Sequence, residues 1–283
     1  MLNDDVIARL RAEARQISEQ AFAAPTRETA VLAAAQPYYD EDADAQMRTD
    51  FYGALQLPNY DTLHDLVDGH KGLGYKKAKQ ELYRWVDLHS DRMLRSIYSG
   101  DSVDAQEVLE ADARIEAVLM AAAEENNVPL EDLEAAVKYN CEHVVPQGWF
   151  GKKEPGRGDL HHLFTCDVSC NQYRDNNAYF DFTQGPSVER CGHRIDPENK
   201  FEPFQGKGAV SRATLYFVVR YPKAHLLYDA ERLETVKQWA LEDPVTDYEK
   251  HRNWTIHQLQ KNRNPFIDHP DWIELVDFSA GLG

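Results

Sequence analysis

A chain of 283 residues, 42% of them hydrophobic, can build one large domain or two small ones around a real core. No run of 18 apolar residues occurs, so no helix of the chain is expected to cross a membrane. The formal charge of -17 argues against a protein that coats nucleic acid without specificity, although a local basic track is compatible with it.

The acidic start, MLNDDVIARLRAEARQISEQ, has neither the basic stretch nor the apolar run of a secretory signal. It points to the cytoplasm, or to a secreted or periplasmic protein if the chain is a processed form. Apolar spacing predicts a helix over residues 6–22, a break at Pro25 and the acidic YYDEDADAQ, and a second helical region beyond. KKAKQELYRWVDLHSDRMLRSIY reads as one long amphipathic helix over residues 76–98. After a break at Gly100, helices follow to Ala123 and from Pro129 to Val137. Residues 1–138 thus form a mainly helical region with a net charge of -13, whereas residues 139–223 carry +1. The chain divides by texture at that point, into 1–138 and 139–283.

From Tyr139 the texture becomes aromatic and glycine-rich. CEHVVPQ and DLHHLF read as two short strands, with GWFGKKEPGRG as the loop between them. Residues 167–177 read as a helix. ATLYFVVRYP is the strongest strand signal, with a buried helix as the other reading of so short an apolar run. Helices are expected over 231–242 and 249–261.

The strand–loop–strand–helix segment gathers Glu142, His143, Asp159, His161, His162 and Asn171. A neutral imidazole can take a proton from water, and a carboxylate with an amide oxygen suits Mg²⁺. Such parts fit metal-assisted phosphodiester hydrolysis. Cys166, Cys170, Cys191 and His193 leave three readings open: free thiols, one disulfide such as Cys170–Cys191, or a structural Zn²⁺ site, which is not favoured. Cys141, preceding Glu142 on a strand, is expected on the opposite, core face.

CEHVVPQGWF, GDLHHLF and CNQYRDNN resemble the core of the bacterial endonuclease I family, among the ββα-metal (His-Me finger) nucleases. The resemblance continues through FEPFQGKGAVSRATLYFVVRYP and LEDPVTDYEKHRNWTIHQLQKNRNPFIDHPDW, over about residues 139–273, with an echo in LYRW…IYSG. It implies an α+β fold in which a ββα-metal core sits in a mainly helical body. His143 would be the general base, and Glu142 and Asn171 the ligands of one divalent cation: Mg²⁺, with Mn²⁺ or Ca²⁺ as alternatives. Arg174 would meet the phosphate, and Arg212 matches a second basic position. Glu202 falls in a family motif with no assigned contact. Many family members carry His-Asn where this chain has His161-His162. Lys152, Lys153 and Arg157 are the loop cations that could hold the strand.

The expected activity is endonucleolytic cleavage of DNA, with RNA as a second substrate, and an acid limb near pH 6.5, the ordinary histidine pKa. The competing reading is a zinc-stabilised nucleic-acid-binding or interaction protein with a decayed nuclease site.

Overall fold

The computed structural model describes residues 4–24, 38–182, 190–195, 198–222 and 228–282; the expected break at Pro25 lies outside them. The described chain is α+β: many helices and three small sheets. Helices α1 (Asp4–Ala23), α2 (Glu41–Tyr52), α3 (Tyr60–Asp68) and α4 (Tyr75–Glu81) come first. The acidic run is thus partly helical, and Asp40 caps α2 by accepting from the Ala43 amide. The single helix expected over 76–98 does not form. A π-turn (Leu82–Val86) ends α4, and Arg92 takes φ 66° in the bend that follows. A two-stranded ribbon of β1 (Leu94–Arg95) and β2 (Ser102–Val103) closes the segment. The break buries Asp87, whose carboxylate accepts from the Thr165 amide and pairs with Arg252. It also turns Tyr98 inward, which one straight helix could not do.

Helices α5 (Ala105–Asn126) and α6 (Leu130–Ala136) follow, then β3 (Cys141–His143), antiparallel to β4 (Leu163–Thr165). Both strands are shorter than predicted, because the HH of DLHHLF lies in a 3-10 turn. Helix α7 (Val168–Arg174) comes next, with Asp167 as its cap. A third sheet joins β5 (Ala178–Tyr179), β6 (Gly192–Ile195) and β7 (Lys200–Pro203) in the order 5-7-6.

Helix α8 (Lys207–Arg220) replaces the expected strand. Every residue from Val210 to Arg220 is buried. A helix satisfies its own backbone, whereas a strand there would need pairing partners on both edges. Helices α9 (Ala230–Glu242), α10 (Asp247–Gln260) and α11 (Pro265–Asp268) complete the body around it. The largest apolar cluster mixes Leu63, Tyr98, Phe164 and Val218, and a second joins α1 and α5 to Val168 of α7. The division at residue 138 is one of composition; the cores cross it.

Candidate active site

The β3–β4 pair puts Glu142 opposite Phe164 and His143 opposite Leu163. Alternation sends neighbouring side chains to opposite faces, so Glu142 and His143 diverge. The same period places Cys141 opposite Glu142, buried in an apolar cluster as expected, and on the His143 side, where it also meets the cleft wall. Its thiol is buried and pushed far above the usual range by that burial, so it supplies no thiolate nucleophile.

His143 is buried at one end of this cleft, and its Nε2 lies 3.0 Å from the Arg157 carbonyl oxygen. A carbonyl can only accept, so Nε2 carries the proton and Nδ1 keeps its lone pair in the neutral ring. Burial holds the pKa well below 6.5, and His162, with its ring centroid 5.4 Å away, pushes the same way. His143 therefore does not keep the ordinary histidine pKa of 6.5. Three contacts fix the loop that supplies the carbonyl. His162 Nε2 donates to Gly156 O at 2.6 Å, and the Glu154 carboxylate accepts from the Gly158 and Tyr75 amides.

Asn171 lines the same cleft from α7. Its Nδ2 donates to the carbonyls of Tyr139 and Cys141, both at 3.0 Å. Two carbonyls demand the NH₂ end, so Oδ1 must face away from them, and it is buried without a partner.

Glu142 lies on the α7 side of β3, 1% exposed. Its Oε1 accepts from Tyr98 OH at 2.9 Å and from Arg174 Nη1 at 3.0 Å. Tyr98 in turn meets Tyr179 OH at 2.8 Å. Burial raises the Glu142 carboxyl, and Arg174 and then Lys138 oppose that rise. A buried carboxylate of this kind gains from any added cation.

Arg174 is not a free phosphate contact. It is fully buried, and besides Glu142 it donates to His143 O at 3.2 Å and Val144 O at 2.7 Å. Those bonds fasten α7 to β3 and hold Glu142. Arg212 is also corrected. It lines a different cleft, bonds both Glu249 oxygens at 2.7 and 2.9 Å, and donates to Ala240 O and Asp243 O at 2.7 Å each. Its guanidinium ties α8 to the start of α10.

Of the loop cations, Lys152 is exposed and lines the cleft, whereas Lys153 is exposed and not part of its wall. Arg157 lies over the Tyr75 ring at 4.6 Å, donates to Gln147 Oε1 and pairs with Glu134 at 3.2 Å. Asp159 is a scaffold group, accepting from Tyr216, Tyr221 and Gln260. His161 packs on Tyr216 with ring centroids 4.5 Å apart. Glu202 sits on β7, accepting from the Phe182 amide and Lys207, away from the cleft wall.

Cys170 and Cys191 form a disulfide. That removes two of the proposed zinc ligands, while Cys166 is a free buried thiol and His193 packs edge-on to Phe182. Among the described residues, no group of three His, Cys, Asp or Glu side chains could hold a metal. A two-ligand site completed by an amide oxygen is of a different kind. The sequence reading did not single out Tyr98, Tyr179 or Lys138; Tyr98 lies in the IYSG echo but with no assigned contact, and Tyr179 comes from a separate segment without a motif.

The cleft thus joins a tautomer-fixed histidine and an orphaned amide oxygen on one strand–strand–helix unit. Comparison with known proteins gives the family: Endonuclease I matches residues 60–271, and the chain belongs to it. The match begins well before Tyr139, so the helical stretch from Tyr60 onward falls within it, whereas α1 and α2 lie outside. An extracellular ribonuclease of Bacillus amyloliquefaciens is 28% identical over 79% of this chain and 81% of its own. An extracellular ribonuclease of Bacillus subtilis is 31% identical over 49% of this chain and 54% of its own. A periplasmic deoxyribonuclease of Aeromonas hydrophila is 29% identical over 50% of this chain and 68% of its own.

Proposed function

We propose that this chain is a divalent-metal-dependent endonuclease of the His-Me finger type that hydrolyses phosphodiester bonds in DNA and RNA with little sequence preference. The observation that carries the reading is the pairing, in one cleft, of His143 with its Nε2 committed to a carbonyl and Asn171 with a buried oxygen committed to nothing. Nδ1 of neutral His143 takes the proton from the attacking water. Water as nucleophile needs no 2′-hydroxyl, so both polymers are substrates, in keeping with relatives named as ribonucleases and as deoxyribonucleases.

Glu142 and Asn171 would hold the ion. Their all-oxygen donor set suits Mg²⁺, and the raised Glu142 carboxyl and orphaned Asn171 oxygen are the groups that such an ion would satisfy. When bound, it would supply charge stabilisation to the phosphodiester and its leaving oxygen. Arg174 and Tyr98 orient Glu142, and the Gly156–Gly158 turn orients His143.

The disulfide favours an oxidising compartment, and the named extracellular and periplasmic relatives favour the same. Secretion or a periplasmic location therefore replaces the cytoplasmic expectation.

The test is nicking of supercoiled plasmid, and cleavage of a single-stranded RNA, with Mg²⁺ and with EDTA. Both activities should be lost in EDTA, with the melting temperature moving by only a few degrees, about what 1 kcal/mol gives. Nicking that persists in EDTA would sink the metal-dependent mechanism.

A further inference from the structure

The transition state of phosphodiester hydrolysis gathers negative charge, and a site that stabilises it needs a cation free to meet it. Most cations near this cleft are committed. Arg174 is locked on Glu142 and two carbonyls, and Arg157 is held by Glu134, Gln147 and the Tyr75 ring. Two lysines line the cleft itself. Lys152 is exposed, on a loop residue with φ 56°. Lys138 is half-buried, on the short connection between α6 and β3, four residues before Glu142.

Among the described residues, the Lys138 ammonium makes no hydrogen bond or ion pair. A half-buried cation has given up part of its hydration, and its interaction with an incoming anion is screened less than at the surface. A lysine is also a point charge on a flexible stem, able to follow a phosphate as it changes geometry.

We infer that Lys138 is a further catalytic residue, whose ammonium contacts a non-bridging oxygen of the scissile phosphate beside His143 and Asn171. This rests on the nuclease reading above. The rival role is that of a counter-ion to buried Glu142, which would act on metal binding alone.

The experiment compares wild type with K138M, K138R and K138Q, each checked for an unchanged thermal transition. Single-turnover plasmid nicking is measured at saturating DNA across a Mg²⁺ series. DNA binding is measured in EDTA across a salt series. K138M should nick about 10²–10³-fold more slowly with its Mg²⁺ half-saturation unmoved, as for loss of one transition-state donor. K138R should recover most of that loss. The log K against log salt slope should become shallower by about one phosphate contact, roughly 0.9. K138Q replaces K138M in the comparison if the latter fails to fold. Unchanged rate and slope in K138M overturn the inference, as does a loss that added Mg²⁺ restores. Wild type that fails to nick DNA with Mg²⁺ would instead remove the nuclease reading itself.

Discussion

His143 and Arg174 show how burial assigns roles that residue type alone leaves open. Only neutral imidazole can accept the water proton, and the folded pKa of His143 lies well below 6.5. The acid limb of kcat/KM should therefore lie below 6.5, with activity kept as pH falls to that limb and lost through it. H143A should lose about 10²–10⁴ in rate and the limb with it, while the Mg²⁺ requirement stays the same. Full parental activity in a folded H143A would remove the mechanism. The two buried arginines are separable by assay. Removing one partner of a buried ion pair is destabilising by about 3–5 kcal/mol, so both R174M and R212M should lower the urea midpoint. Only R174M releases Glu142 and β3, so only it should also lose nicking per folded molecule; equal specific activities would contradict this division.

The element on which the site depends is α7. It presents Asn171 to the cleft and Arg174 to Glu142, while Arg15 of α1 grips Gln172 on its outer side. The disulfide joins this helix at Cys170 to Cys191, just before β6. A cross-link closing a loop of 21 residues' separation restricts the unfolded chain by about 3 kcal/mol. The C170S/C191S double variant should lose roughly that much in equilibrium unfolding. It should also need more Mg²⁺ for half-maximal nicking, because Asn171 follows Cys170 directly. A Mg²⁺ requirement equal to wild type would mean that Asp167 and Arg174 hold α7 without the disulfide.

At the scale of the whole molecule, the buried polar scaffold under the cleft sets a pH range. His161 and His162 are buried and depressed to about 4, chiefly by burial, against about 6.5 in an unfolded chain. Between those values the unfolded state binds the extra protons. Stability is therefore fully present above 6.5 and lost as pH falls toward 4, at about 1.4 kcal/mol per pH unit for each such histidine. Urea unfolding at pH 7 and at pH 5 should show this slope, and a flat profile would show that other groups compensate. The acid limb expected of His143 also lies below 6.5, so inactivation and unfolding must be measured separately.

The sequence by itself determined the chemistry-bearing segment. Glu142, His143 and Asn171 stood out as candidates because they fall in the motifs CEHVVPQGWF and CNQYRDNN that carry the family resemblance, and the family match extends back to Tyr60. It also marked α1, α9 and α10, whose apolar periodicity is local. Tertiary structure alone decided the rest. The run from Val210 to Arg220 is helical because full burial leaves a strand's backbone without partners. The segment 76–98 breaks because Asp87 and Tyr98 are needed at β4 and Glu142. Arg174 and Arg212 look alike as basic motif residues, yet long-range carbonyls and carboxylates commit both to the scaffold. The half-buried lysine at 138 gave no sequence signal, since only the packing of α6 against the site brings it to the cleft.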